Sequence, residues 1–445
     1  MRSDQQQVIN RLAGTSATAF LCAVLCVYPL YIDKFSNLGV TKFTGCFTLF
    51  LLFLLWLVAC TAIGARAPRP CNANAGRDVT LWGVLAFAGT SLISTFTSLS
   101  PTASTWGLGG YYGGLMLVLF TAAGYWAVRS YLDLENLDFV FWVLGITTSI
   151  VAVLYVLNIF NIDLIGAYAD TAVVERAQFF STLGQKDFNG CFFSVALPIV
   201  FYQFLNAKDT RTAVWTGIPA AFGALALAVV DSEALALGIG AAVMVLVCHK
   251  NFTTRHLRRA ALISAAFFGW AAWMHYMRAS VYTQGGTALL AKLGAWQVAL
   301  PCMAASLLLW LVLFVLARKG IAAQAPLYLP GRVITIAVLA VGALAFVLAN
   351  AMPNLPLPES LHNLLVFNDD WGTYRGVAWR AAFGTWADGS LLRKIVGIGP
   401  GMMHTAVAAW AGDAMTARMA TFYAAHNEYL EQLLTTGILG LAAWL

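Results

Sequence analysis

The stretch Phe43–Gly64, FTGCFTLFLLFLLWLVACTAIG, contains no charged side chain. A helix rises about 1.5 Å per residue, so a stretch of this length can cross a hydrocarbon core about 30 Å thick. Inside that core the backbone amides must be satisfied within the segment, which an α-helix achieves. The stretch therefore predicts a membrane-spanning helix.

The same pattern recurs along the chain of 445 residues, which is 60% hydrophobic and only 10% charged. Soluble domains usually carry about 25% charged residues. The fold class predicted is therefore all-α, a polytopic membrane protein with no sizeable soluble domain. The first run has no small-residue cleavage site, so we interpret it as a helix and not as a signal peptide. Twelve spans are predicted, at 15–32, 43–64, 79–97, 113–131, 139–158, 188–206, 213–230, 234–249, 260–277, 297–317, 333–351 and 429–445.

The loops between these runs differ in charge. With the N-terminus in the cytoplasm, fifteen of the 26 lysines and arginines fall in inner loops and six in short outer loops. This asymmetry follows the positive-inside rule and places the long loop 352–428 outside the cytoplasm. Within that loop, Thr373–Ala387 and Met402–Ala411 have helical patterning, so we expect short helices on or near the membrane surface. The net charge of +6 arises from scattered loop residues, which argues against a nucleic-acid partner.

The stretch AAHNEYLEQLLTTGILG, residues 424–440, places polar groups at the start of the last apolar run. Asn427 is a good N-cap, and Glu428 and Glu431 then suit the first turn of a helix. His426 precedes this helix N-terminus, a position that favours the neutral imidazole that a general base needs. Its spacing from Leu430 predicts that it points to the buried side. The alternative is a capping histidine that packs at the interface.

The stretch TYRGVAWRAAFGTW, residues 373–386, combines arginines with tryptophans. Arg375 and Trp379 fall on one helical face, and Arg380 lies about 100° away from Trp379. A guanidinium binds phosphate in a forked geometry, so this pairing suits an anionic, lipid-linked group. Anchoring of the helix at the membrane interface by Trp and Arg explains the pattern equally well.

Other polar stretches are less specific. The glycines of VGIGPGMM, residues 396–403, favour a tight turn over an anion-binding nest. Lys186 either pairs with Asp187 or meets a phosphate. Asp231 and Glu233 are either turn residues or a cation site. Arg278 lies at the outer end of a membrane helix. It is either a snorkelling anchor or a residue near a site for an anionic lipid.

Together these stretches resemble the O-antigen ligase and O-antigen polymerase family of bacterial membrane glycosyltransferases. YRGVAWRAAF, VGIGPG and AAHNEYLEQLLTTGILG follow in the order of the family's Arg…Trp, Gly-x-Gly and His-Asn-x-x-Leu…Gly series. STLGQKDFNGCFFSVALP and DSEALALGIG match more weakly. The resemblance divides the chain into N-terminal transmembrane helices, 1–179, and an O-antigen ligase-like region, 180–445, that includes the outer loop.

The resemblance implies an enzyme that transfers or polymerises a glycan at the outer face of the bacterial cytoplasmic membrane. Its partners would be an undecaprenyl-diphosphate-linked glycan as donor, a glycan, lipid or protein hydroxyl as acceptor, and membrane lipid. It implies neither a metal nor another cofactor. His426 would be the general base, with Asn427 and Trp379 in support. The residues implied for binding the diphosphate are Arg375, Arg380, Arg278 and Lys186.

The chain departs from the family in two places. Many members have Ser-Arg where this chain has Ser232-Glu233, which removes one cation for the diphosphate. Members also continue with more membrane helices where this chain stops at GLAAWL, so we expect an incomplete C-terminus and a shortened last helix. Three other functions stay open: a transporter or flippase of a lipid-linked sugar, a protein O-oligosaccharyltransferase of the same family, and an inactive membrane scaffold. The concentration of charge at loops and helix ends favours an enzyme.

Overall fold

Helices follow one another along almost the whole chain, as the apolar runs predict. The structure is a computed structural model that describes residues 2–64, 78–108, 110, 112–280, 288–321, 324–352, 355–416 and 422–445. The predicted inner loop with Arg66, Arg69 and Arg77 lies outside the described residues, as do residues 353–354 and 417–421 of the predicted outer loop. The α-helices are α1 Arg2–Leu30, α2 Leu38–Gly64, α3 Val79–Phe96, α4 Pro101–Trp106, α5 Leu115–Tyr131, α6 Leu137–Ile159, α7 Lys186–Asn206, α8 Thr210–Val229, α9 Glu233–Cys248, α10 Thr254–Ser280, α11 Ala288–Gly294, α12 Trp296–Arg318, α13 Tyr328–Ala351, α14 Glu359–Leu365, α15 Trp371–Ala387, α16 Leu391–Val396, α17 Met403–Thr416, α18 Glu428–Thr435 and α19 Gly437–Trp444.

Eight helices among the described residues are long and apolar enough to cross a membrane: α1, α2, α3, α6, α7, α8, α12 and α13. The chain is therefore an all-α, multi-pass membrane protein. Three further predicted spans coincide with α5, α9 and α10, which are shorter or carry more charge. The short helices predicted in the long loop are present as α15 and α17.

The prediction of a single helix over 429–445 is wrong. This segment forms two helices of 8 residues each, α18 and α19, with a break at Gly437. Gly437 has a φ of 70°, and a Cβ there would lie 2.3 Å from the Ile395 carbonyl oxygen. Close packing against α16 therefore imposes a left-handed residue that an unbroken helix cannot contain.

Spatial contacts divide the chain into two compact units. The first comprises Met1–Thr18, Phe47–Asp133 and Leu339–Leu445, and the second comprises Ala19–Cys46 and Leu134–Val338. The boundary at residue 180, which rests on the family resemblance, stays a prediction.

The second unit is built on α6, α7, α8, α9 and α10, whose buried side chains form one apolar core. Its only strands in the described residues, β1 Phe179–Phe180 and β2 Gly184–Gln185, form an antiparallel hairpin. The fully buried Asn189 supports this hairpin by donating to the carbonyls of Phe180 and Gly184 at 3.1 and 3.0 Å. Buried amide donors are thus satisfied by strand carbonyls, which fixes the hairpin on α7.

In the first unit, a glycine turn, Gly397–Gly401, closes the end of α18. The Gly399 backbone N–H and the Ser94 hydroxyl both donate to the Thr435 carbonyl, at 2.9 and 2.6 Å. A helix end leaves its last carbonyls without intrahelical partners, and these two donors satisfy one of them in a buried place. The turn therefore joins α3, α16 and α18 into one body.

Replacing Gly399 by alanine should destabilise the first unit. Gly399 has a φ of 106°, and a Cβ there would lie 2.5 Å from the hydroxyl oxygens of Ser98 and Ser104. We expect G399A to lower the stability by about 1–3 kcal/mol, seen as a lower thermal unfolding midpoint in detergent. Gly89 of α3 is the matched control, since a Cβ there meets nothing within 4 Å. Equal midpoints for G399A and G89A would contradict the proposed role of the turn.

Candidate functional site

Two segments with predicted functional residues pack on one another in the first unit. Val377 and Ala378 of α15 share a buried core with Ala425 and with Leu434 of α18. Arg375 lies on the first of these segments, and His426 lies directly after Ala425 on the second. We call residues 371–387 together with 422–435 the α15–α18 layer.

His426 sits at the surface of this layer. Its φ is 51°, a left-handed value that is uncommon outside glycine but is tolerated by histidine better than by most residues. Its ring makes an edge contact with Phe422, with 5.8 Å between ring centroids. The prediction that His426 points to the buried side is wrong, because the left-handed backbone takes the exposed imidazole out of register with α18.

The N-terminus of α18 has the predicted cap. The Asn427 side chain accepts from the Leu430 backbone N–H at 3.3 Å. A second acceptor comes from Glu431, whose carboxylate accepts from the Ala425 backbone N–H at 2.7 Å. Both neighbours of His426 are therefore held by side chains, which fixes the turn that carries the imidazole.

Glu431 is the titratable group of this turn. Its side chain is half-buried, and burial raises the pKa of Glu431 to about 7, against the lowering effect of its hydrogen bond from Ala425. The sequence indicates an acid in the first turn of a helix but gives no sign of this burial. The carboxyl therefore titrates near neutral pH beside the His426 turn.

Arg375 follows three consecutive left-handed residues, Gly372, Thr373 and Tyr374, with φ values of 61°, 60° and 69°. Thr373 is β-branched and Tyr374 is bulky, so both positions are strained. The regular part of α15 begins at Arg375, whose side chain is half-buried. The left-handed run thus sets the direction from which this guanidinium leaves the helix.

Trp379 lies one turn beyond Arg375 in an aromatic cluster with Trp371 and Phe367, at centroid distances of 5.1 and 6.0 Å. Its indole N–H is buried and has no acceptor among the described residues. Buried donors are usually paired, so this N–H is open to an acceptor from a ligand.

Arg380 forms an ion pair with Asp369. Its side chain is exposed and lines a cavity of about 320 Å³ between α15 and α17, together with Trp410 and Asp413. A carboxylate therefore already neutralises Arg380, which weakens this arginine as a candidate for binding a diphosphate.

The glycine turn does not act as an anion nest. The N–H groups of Gly397, Ile398 and Gly399 donate to the carbonyls of Arg393, Leu434 and Thr435. These donors are therefore not available to a phosphate, and the tight turn favoured by the sequence is the correct interpretation.

His404, at the start of α17, was missed by the sequence analysis. Its Nδ1 lies 3.0 Å from the Phe422 carbonyl oxygen, and its ring stacks on Tyr423 at 4.6 Å. It thereby holds the segment that leads to His426. A histidine three residues after the last glycine of VGIGPGMM was the only signal for it in the sequence.

The second unit holds the other two predicted cations, which meet at Asp231. Lys186 Nζ lies 4.0 Å from Asp231 Oδ2, while Asp187 accepts from the Ser232 hydroxyl at 3.1 Å. The predicted Lys186–Asp187 pair is therefore wrong, since adjacent helical residues do not face each other and α9 packs on α7.

Arg278 also interacts electrostatically with Asp231. Its Nε atom is buried and has no acceptor among the described residues. We call Lys186, Asp187, Asp231, Ser232 and Arg278 the Asp231 cluster. Two predicted diphosphate residues thus interact with one carboxylate, Asp231, for which the sequence left open a turn residue or a cation site.

Within the described residues, no group of three or more His, Cys, Asp or Glu side chains is arranged to hold a metal ion. Comparison with family models, curated proteins and solved structures finds no match for this chain. The resemblance to the O-antigen ligase family therefore rests on the sequence motifs alone.

Replacing Glu431 by glutamine should flatten the pH dependence of stability. A pKa raised from 4.5 to about 7 means that the folded state binds more protons than the unfolded state in this window. The wild type should therefore lose stability as pH rises from about 4.5 to 7, and E431Q should not. Thermal unfolding midpoints at pH 5 and pH 8 measure this slope.

The exposed Glu428 serves as the comparison, and E428Q should keep most of the wild-type slope, because burial contributes more to the raised pKa of Glu431 than the charge of Glu428 does. Replacing Glu431 by alanine should in addition speed hydrogen exchange at the Ala425 amide, whose acceptor it removes. An unchanged slope in E431Q would refute a titrating role for Glu431.

Proposed function

We propose that this chain transfers or polymerises a lipid-diphosphate-linked glycan onto an acceptor hydroxyl, as in the O-antigen ligase and polymerase family. His426 is the general base, and Arg375 binds the diphosphate of the donor, with Trp379 and Asn427 in support. Arg380 is a secondary cation. The proposal places the loop 352–428 and the α15–α18 layer outside the cytoplasmic membrane of a bacterium, with the N-terminus inside.

The main support for this proposal is the left-handed backbone at His426 and directly before Arg375. Six non-glycine residues of the described chain have positive φ, and three of them are Thr373, Tyr374 and His426. Left-handed residues of this kind cost about 1–3 kcal/mol each and cluster at functional sites. Their occurrence at His426 and immediately before Arg375, on two segments that share one core, supports a site built from these residues.

The chemistry needs little more than these two groups. The acceptor oxygen forms a bond to the anomeric carbon of the donor sugar, and its proton passes to the His426 imidazole. The bond from that carbon to the phosphate oxygen breaks, and the lipid diphosphate leaves with the electron pair. A guanidinium beside the diphosphate stabilises the charge that develops there.

A flippase of the lipid-linked glycan is the second candidate, favoured by the Asp231 cluster. Buried charged groups in a membrane protein can mark a transport path, and the Arg278 Nε atom of this cluster is buried. Replacing Asp231 by asparagine separates the two functions. A flippase would lose transport of a lipid-linked glycan across vesicle membranes, whereas a transferase would keep glycan transfer supplied from the outer face.

Replacing His426 by asparagine tests the base. Asparagine tolerates a left-handed backbone, so H426N keeps the turn and removes only the basic nitrogen. We expect glycan transfer from an undecaprenyl-diphosphate-linked donor to fall by about 10²–10⁴-fold, with unchanged thermal stability. Transfer at wild-type rate in H426N would exclude His426 as the base.

Replacing Arg375 by glutamine tests the diphosphate contact. We expect R375Q to lower kcat/KM for the lipid-linked donor by about 10–100-fold, since a charge-assisted hydrogen bond to phosphate contributes about 1.5–3 kcal/mol. R375K should retain part of the activity. The matched control is R393Q, which removes an exposed arginine of α16, and it should keep full activity. Equal activity of R375Q and R393Q would remove Arg375 from the site.

A further inference from the structure

The strongest unassigned feature lies at one end of the second unit, where α10 begins and α12 ends. Residues 234–358 contain no aspartate or glutamate but hold nine lysines and arginines. The start of α10 carries Arg255, Arg258 and Arg259, and the last turn of α12 carries Arg318. These cations therefore lack acidic partners from their own stretch of sequence.

Two of the four arginines are used inside the protein. Arg259 donates to the carbonyls of Phe204 and Leu205 at 3.1 and 3.0 Å, and Arg255 donates to that of Ala207. They therefore bind carbonyls at the C-terminal end of α7 and at its C-cap residue Ala207, where helix carbonyls need partners from outside the helix. Asp209, at the adjoining start of α8, already accepts from Thr212 at 2.8 Å.

Arg258 and Arg318 are arranged differently. Their guanidinium carbons lie 5.9 and 5.1 Å from the centroid of the same Phe314 ring. The two cations are therefore no more than about 11 Å apart, the sum of these distances. Among the described residues, no ion pair with a carboxylate involves either arginine. Two like charges held on one ring repel each other, and a bound anion would offset this repulsion.

An apolar surface leads to this pair along α12. Val315, Leu311 and Leu308 are exposed and follow one another at helical spacing away from Arg318. In a membrane protein such a stripe faces acyl chains, while cations at the end of the stripe meet the headgroup. A free phosphate would make no use of the stripe.

We propose that Arg258 and Arg318, held on Phe314, bind the phosphate of an anionic phospholipid whose acyl chains lie along α12. The forked donors of arginine match phosphate oxygens, and the ring fixes the spacing of the two guanidinium groups. The site is independent of glycan transfer, because it uses none of the residues assigned to that reaction.

Native mass spectrometry of the full chain in a neutral detergent tests the site. Phosphatidylglycerol and phosphatidylcholine with identical acyl chains are titrated in parallel, with inorganic phosphate as a competitor. We expect tighter binding of phosphatidylglycerol to the wild type and about tenfold or greater weakening in the double variant R258Q/R318Q, since each cation near a lipid surface contributes several-fold. Millimolar phosphate should not displace the lipid.

The control K208Q/R211Q removes the same charge at the start of α8 and should keep phosphatidylglycerol binding within about twofold of the wild type. F314L keeps an apolar side chain and should weaken binding without changing the net charge.

If R258Q/R318Q unfolds, R258K/R318K replaces it and should bind phosphatidylglycerol less tightly than the wild type while unfolding at the same temperature. Equal binding of both lipids, equal weakening by the two charge-removing variants, or displacement by phosphate would each overturn the proposal.

Discussion

The Thr435 carbonyl is the point on which the first unit depends. It closes α18 in a buried place, where a helix end without donors would be costly. The Gly399 amide and the Ser94 hydroxyl both donate to it, one from the glycine turn and one from α3. The Gly399 amide reaches this carbonyl with a positive φ at Gly399. The break at Gly437 lies close by, where the chain packs against the Ile395 carbonyl of α16.

The hydrogen bonds that close the end of α18 also help to fix the candidate site. With the end of α18 fixed by the glycine turn, its beginning is fixed by Asn427 and Glu431, so the His426 turn is held from both sides. The shared core of α15 and α18 then sets the position of Arg375 relative to this turn. The strain at Thr373, Tyr374 and His426 persists because the surrounding packing determines these conformations.

Much of the fold could be predicted because apolar length is a local property. Each of the first eleven predicted spans coincides with one helix, within a few residues at most ends. The Asn427 cap could be predicted for the same reason, since a cap acts within one turn. The partner of Lys186 could not be predicted, because Asp231 lies in the distant connection between α8 and α9. The exposure of His426 could not be predicted either, because helical spacing assumes a helical backbone.

The sequence by itself determined the class of protein, because its long uncharged runs predict membrane helices. The order of the Arg, Gly and His stretches is the basis of the proposed glycan transfer. Only the tertiary structure decided that the glycine turn binds helix carbonyls and not an anion, and that Arg380 is neutralised by Asp369 while Lys186 and Arg278 meet at Asp231. These outcomes depend on contacts between segments far apart in the chain, which local periodicity does not encode.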